Sequence, residues 1–119
     1  MTRLFVYGTL KSGESNHAFL AGQTLLDPAR TGPGFTLFSL GDFPGLVPFP
    51  SDREGVAGEL WSIGAACLAR LDVLEGIGEG LYRRGPISLA APAAAPGVET
   101  YFYLRDLAGR PRLGSVWPG

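Results

Sequence analysis

With 119 residues, 45% of them hydrophobic, the chain carries enough apolar material for one packed core, so a single domain over 1–119 is expected. A formal net charge of −1, from ten scattered Lys and Arg against eleven Asp and Glu, leaves no basic face for a polyanion and argues against nucleic acid as a partner. One cysteine, Cys67, and one histidine, His17, exclude a disulfide framework and give no cluster of soft metal ligands.

From the N-terminus, MTRLFVYGTLKSG holds an apolar stretch too short for a signal segment. No later window approaches the roughly 20 apolar residues that a membrane-crossing helix takes, so the expectation is a cytoplasmic protein without a membrane partner. LFVY reads as a buried strand that stops at Gly8 and Thr9. The turn that follows, YGTLKSGES, combines glycines that let a ligand approach the backbone with successive N–H groups released from a strand ladder. Such a turn can grip an anion or simply redirect the chain. Its spacing does not fit the GxxxxGK[ST] phosphate loop. Ser15, Asn16 and His17 are placed to cap a short helical turn, with His17 in a packing or hydrogen-bonding role.

Eighteen glycines and ten prolines permit short strands and forbid many long helices. Strands are expected at Leu25 to Thr31, Phe35 to Leu40, Val56 to Ile63, Leu81 to Leu89 and Val98 to Leu104. DFPGLVP reads as a tight turn. AAPAAAPG reads as a long hairpin loop, because its prolines cannot sustain a ladder. The one good helix is GAACLARLDVLEG, with Ser62 as the expected N-cap and Gly76 as its left-handed end. Strands outnumbering helices without regular alternation make the fold class α+β, a small closed or nearly closed β-barrel with the helix at its side.

On that helix, offsets of three, four and seven residues return to one face, so Leu68, Leu71 and Glu75 share a sector. A carboxylate on an apolar face loses hydration, and in the last turn it also opposes the helix dipole. Both effects raise its pKa and prepare it for proton transfer. The plainer alternative is a glutamate that frays into solvent beside Gly76. Asp72, at the sector's edge, reads as a solvated or capping group, and Cys67 as a small buried hydrophobe. Tyr101 and Tyr103 fall on one face of the last strand by their spacing of two, as pocket phenols or as amphipathic core.

VYGTLK, SNHAFL, FPGLVP, VAGELW, LDVLEG and LYRR, in this order, closely resemble the γ-glutamylcyclotransferase-like superfamily, including its AIG2-like and γ-glutamylamine cyclotransferase groups. The resemblance runs from about residue 3 to residue 104. It implies a small mixed β-barrel with flanking helices. It assigns substrate binding to the main chain of Tyr7, Gly8, Thr9 and Leu10, with Tyr103 or Tyr101 at the pocket border, and makes Glu75 of the LDVLEG motif the catalytic glutamate. Arg84 is implied to be a structural partner. The implied substrate is a small γ-glutamyl amine or γ-glutamyl amino acid that closes to 5-oxoproline, and no metal or organic cofactor is implied. The loop GIGEGL and the tail LGSVWPG depart from the family's pattern and leave the leaving-group side and the substrate open. The sequence carries no signal for oligomeric state. Two other readings stand beside this one: a binding module of the same fold without turnover, and a structural protein whose turns serve only the fold.

Overall fold

The structure is a computed structural model that describes residues 1–93 and 95–118. Its frame is a six-stranded sheet built from β1 (Thr2–Val6), β2 (Thr24–Thr31), β5 (Ala57–Ile63), β6 (Tyr82–Pro86), β7 (Leu89–Ala91) and β8 (Val98–Tyr103). The order across the sheet is β6-β8-β1-β5-β2-β7, and among the described residues only the β1–β8 pair is parallel. A second sheet, ordered β4-β3-β9, joins β3 (Phe35–Ser39), β4 (Pro44–Pro48) and β9 (Arg112–Gly114). The mixed sheet curls into a half-barrel, and among the described residues no ladder joins its end strands β6 and β7. Among the described residues one α-helix, α1 (Ala65–Leu74), and a short 3-10 helix (His17–Leu20) accompany it. Among the described residues no helix is long and apolar enough to cross a membrane.

Strand β1 sits centrally and is buried on both faces. By period-2 alternation Leu4 and Val6 enter one core with Cys67, Leu68 and Leu71 of α1. Phe5, with Tyr7 just beyond the strand, enters the other core with Leu37 and Leu46 of the three-stranded sheet. Strand β8 follows the same rule: Tyr101 and Tyr103 face the helix side, while Val98 and Phe102 face the second sheet. A ten-residue helix is marginal alone. Burial of Leu68 and Leu71, about 1.5–3 kcal/mol each, attaches it to the sheet.

Four local expectations change. The helix begins later than expected: Ser62 lies in β5 opposite Arg3 and Thr24, and the N-cap is Gly64, whose N–H donates to Gln23 Oε1 at 2.8 Å. PGLVP is not a tight turn but strand β4, paired along its length with β3, and its two prolines stand at the ends of an edge strand. The expected strand at 81–89 divides into β6 and β7. β7 uses Ala90 and Ala91 of the expected loop to extend the β2 edge, so the connection from β6 to β8 is more than a hairpin loop. Ala94 of that loop lies outside the described residues. Finally, Asn16 occupies the N-cap position of the 3-10 helix but its side chain does not cap; its amide donates to Thr9 Oγ1 at 3.0 Å.

Candidate active site

The turn at the end of β1 is shaped by what its carbonyls do. Gly8 O accepts from Lys11 N at 3.1 Å, Thr9 O from Asn16 N at 2.8 Å, and Leu10 O from His17 Nδ1 at 3.0 Å. A trans peptide points its N–H opposite its C=O. With the Gly8 and Thr9 carbonyls bound to the following loop, the N–H groups of Thr9 and Leu10 turn to the other side. Among the described residues, no backbone or side-chain acceptor takes the N–H of Gly8, Thr9 or Leu10. Glu59 fixes the far end of the turn: its Oε1 accepts from Ser12 N at 2.9 Å and from Trp61 Nε1 at 3.1 Å. Nothing in the sequence pattern marked Glu59, which reads there as one polar position of an alternating strand.

The residues that carry these N–H groups line a cavity of about 260 Å³. Its floor is made by Phe5, Val6, Tyr7, Gly8 and Leu10, with Pro44, Tyr82 and Tyr101 from β4, β6 and β8. Thr9, Asn16, Phe43, Leu74, Glu75 and Leu81 complete the lining and are its more exposed residues. The sequence-predicted residues Tyr7, Gly8, Thr9, Leu10 and Glu75 therefore meet at one cavity. Tyr103 does not line it. Two positions farther along β8 than Tyr101, it lies against Gly45, and its ring packs edge-on to Tyr82 at 5.3 Å between centroids. The phenol that β8 presents to the cavity is that of Tyr101.

Glu75 is the C-cap of α1, and its N–H closes the last helical turn on Leu71 O at 2.9 Å. Gly76 then takes φ +65°, a left-handed conformation that stops the helix and leaves Glu75 at the cavity. Burial raises its carboxyl pKa from 4.5 to about 7. Three phenols surround it, all pushed above the ordinary tyrosine range chiefly by burial, and each feels the Glu75 charge. Tyr7 Oη donates to Tyr101 O at 2.7 Å and accepts from Leu46 N at 3.3 Å, and Tyr82 Oη donates to Pro44 O at 2.7 Å. Those phenols stay neutral across the physiological range, so Glu75 is the wall group that changes charge near pH 7.

Tyr101 Oη donates to Asp72 Oδ1 at 2.7 Å. Asp72 is thus not a solvated cap: Arg84 holds it with Nε at 3.0 Å and Nη2 at 3.1 Å, and reaches Glu99 with Nη1 at 2.8 Å. This network stands behind the cavity wall, in keeping with a structural role for Arg84, and the Asp72 carboxylate beside it raises the arginine's pKa. Asp72→Ala is expected to cost about 1–3 kcal/mol in urea unfolding, because it strips Arg84 and Tyr101 of an acceptor together. Asp72→Asn keeps an acceptor oxygen and should cost less. Among the described residues no group of three or more His, Cys, Asp or Glu side chains is assembled to hold a metal ion.

Residues 4–117 match the family described as Gamma-glutamyl cyclotransferase, AIG2-like. The chain belongs to this family. It is 38% identical over 107 residues to the gamma-glutamylcyclotransferase family protein ytfP of Citrobacter rodentium, covering 90% of this chain and 86% of that one. A Niallia circulans relative, named gamma-L-glutamyl-butirosin B gamma-glutamyl cyclotransferase, is 37% identical over 75 residues, which is 63% of this chain and 46% of that protein. The solution NMR structure of protein ytfP from Escherichia coli superposes with a TM-score of 0.73 at 34% identity, over 98% of this chain and 96% of that one. Against relatives from Vibrio cholerae, Arabidopsis thaliana and Niallia circulans, the chain spans 62%, 52% and 46% of their lengths.

Proposed function

We propose that the chain is a cyclotransferase that converts a γ-glutamyl amine or γ-glutamyl amino acid to 5-oxoproline and the free amine, with Glu75 as general acid and base. The observation that carries this reading is a carboxyl group titrating near 7 on the same cavity as the unpaired N–H groups of Gly8, Thr9 and Leu10. Ionised Glu75 takes a proton from the substrate's α-ammonium. The freed amine attacks the γ-carbonyl carbon, a new C–N bond closes the five-membered lactam, and the bond to the leaving nitrogen breaks. Protonated Glu75 returns its proton to that nitrogen, and the carboxylate so restored then relays the second proton of the ring nitrogen to the departing amine, so the lactam keeps one N–H, the leaving group ends as its ammonium and Glu75 ends ionised. No electrons change hands.

The backbone donors suit the substrate's α-carboxylate or the γ-oxygen on which charge develops. Holding the chain folded supplies most of the advantage of an intramolecular attack. The buried, neutral phenols of Tyr7, Tyr82 and Tyr101 keep water and competing bases from the reacting atoms.

The deciding experiment is incubation with a panel of γ-glutamyl amides and γ-glutamyl amino acids while 5-oxoproline and released amine are followed together. Equimolar appearance of both is expected. Saturable binding that raises the melting temperature, with no product at any pH from 6 to 9, would instead establish a binding module.

A further inference from the structure

We propose that Glu59 is a positioning residue for the cyclisation: without lining the cavity, its side chain holds the turn after β1 in the conformation that leaves the N–H groups of residues 8–10 free for a ligand. The proposal rests on reading the cavity as a γ-glutamyl cyclisation site and adds what sets its backbone donors in place.

Glu59 is an unexpected residue for its place. By the alternation of β5 it shares a face with Trp61 and Ile63, both buried in the core that contains Leu68 and Leu71 of α1. An apolar side chain would continue that row, and a half-buried carboxylate there loses hydration. Neutral donors compensate it. Its Oε1 accepts from Ser12 N at 2.9 Å, from Trp61 Nε1 at 3.1 Å and from Ser12 Oγ at 3.3 Å. Among the described residues no ion pair involves Glu59, so what the turn uses is an acceptor at a fixed point and not a charge.

That acceptor closes the turn. The β1–β5 ladder ends on the pair Val6 and Glu59, so the main chain of Glu59 stands where the turn leaves the sheet, and its carboxylate takes Ser12 at the far end. The free donors lie between these two points. A second line reaches the same segment. The bond to Glu59 directs the Trp61 indole, the His17 ring lies against that indole at 5.4 Å between centroids, and His17 Nδ1 donates to Leu10 O at 3.0 Å. Glu59 thus acts on the turn directly at Ser12 and, through Trp61 and His17, at Leu10. Because Glu59 does not line the cavity, it serves the reaction only through the main chain it holds. A displacement of catalytic donors on the order of 1 Å costs about 100-fold in rate.

Two substitutions separate the acceptor from the charge. Glu59→Met keeps the bulk of the side chain in an apolar row and removes the acceptor, whereas Glu59→Gln keeps an acceptor oxygen and removes the charge. With 5-oxoproline formation as the readout and each protein folded at the assay temperature, kcat/KM should fall about 100-fold in Glu59→Met and stay within about threefold of the unmodified chain in Glu59→Gln. The acid limb of the pH profile should remain near 7 in all three, since Glu75 is untouched. The indole N–H resonance of Trp61, one of two tryptophans in the chain, should move upfield in Glu59→Met and hold its place in Glu59→Gln. His17→Phe keeps a ring against Trp61 but cannot donate to Leu10 O, and should lower kcat/KM about tenfold. Full activity in folded Glu59→Met, or in His17→Phe should Glu59→Met not fold, reduces the network to a structural one and overturns the proposal. Equal losses in Glu59→Met and Glu59→Gln, or a displaced acid limb, overturn it too, because the charge and not the acceptor would then be at work. Absence of 5-oxoproline from the unmodified chain with every γ-glutamyl compound overturns cyclisation, and the positioning role with it.

Discussion

Glu75→Gln is expected to lower kcat/KM for any γ-glutamyl substrate by about 10²–10⁴-fold while making the fold more stable at alkaline pH. Gln fills nearly the same volume at the C-cap of α1 and keeps a neutral polar group at the cavity, but it can neither take nor return a proton. The pH dependence carries a sign. The base must be ionised, so kcat/KM of the unmodified chain should fall tenfold per pH unit below about 7, the value to which burial raises Glu75.

Stability moves the other way. Below pH 4.5 the carboxyl is neutral in both folded and unfolded chains and costs nothing. Between 4.5 and about 7 the folded state holds a proton that the unfolded state has lost, and stability from this group declines through that window. Above 7 the full cost of ionising a buried carboxyl is present, about 3 kcal/mol. Urea unfolding at pH 4 and pH 8 should therefore give similar midpoints for the two proteins at pH 4 and a higher one for Glu75→Gln at pH 8. An unchanged acid limb in kcat/KM, or a variant that turns over normally, would remove Glu75 from the chemistry.

How much of this was legible in the sequence depends on whether the signal was local. The 3.6-residue period put Glu75 in the sector of Leu68 and Leu71, and the glycine after it marked the helix end. Both follow from the few residues around them, and Gly76 indeed takes a positive φ. The unbroken apolar run Leu4, Phe5 and Val6 likewise announces a buried strand. Asp72 departs from the solvated role its helix position suggests because its partners, Arg84 and Tyr101, are brought to it by β6 and β8, and no helical wheel contains them. PGLVP forms a strand although its prolines suggest a turn, since proline normally interrupts a ladder. Here Pro44 pairs with Ser39 and Pro48 with Phe35 at the two ends of an edge strand, where a missing N–H leaves no neighbour unsatisfied. β9, three residues in the tail, is too short to show any period.

Pro44 also explains why position 8 is glycine. Gly8 does not have a positive φ, so the requirement is space. A Cβ there would lie 2.6 Å from Pro44 Cγ and 2.8 Å from Pro44 Cδ. The proline has little freedom to retreat: its ring is stiff, it is paired to Ser39, and its carbonyl accepts the Tyr82 phenol at 2.7 Å. Gly8→Ala must therefore push the β1 turn away from β4. We expect about 1–3 kcal/mol of destabilisation in urea unfolding from overpacking. Because the Thr9 and Leu10 N–H groups move with the turn, a displacement on the order of 1 Å should lower kcat/KM about 100-fold, with Glu75 untouched and the acid limb of the pH profile still near 7. Gly78→Ala is the matching control. A Cβ at Gly78 meets nothing within 4 Å, its φ is not positive, and its effect on stability should stay within about 0.5 kcal/mol. If Gly8→Ala instead behaves like Gly78→Ala in both measurements, the spacing between the turn and Pro44 does not set the position of the backbone donors, and a site built on that turn loses its geometric basis.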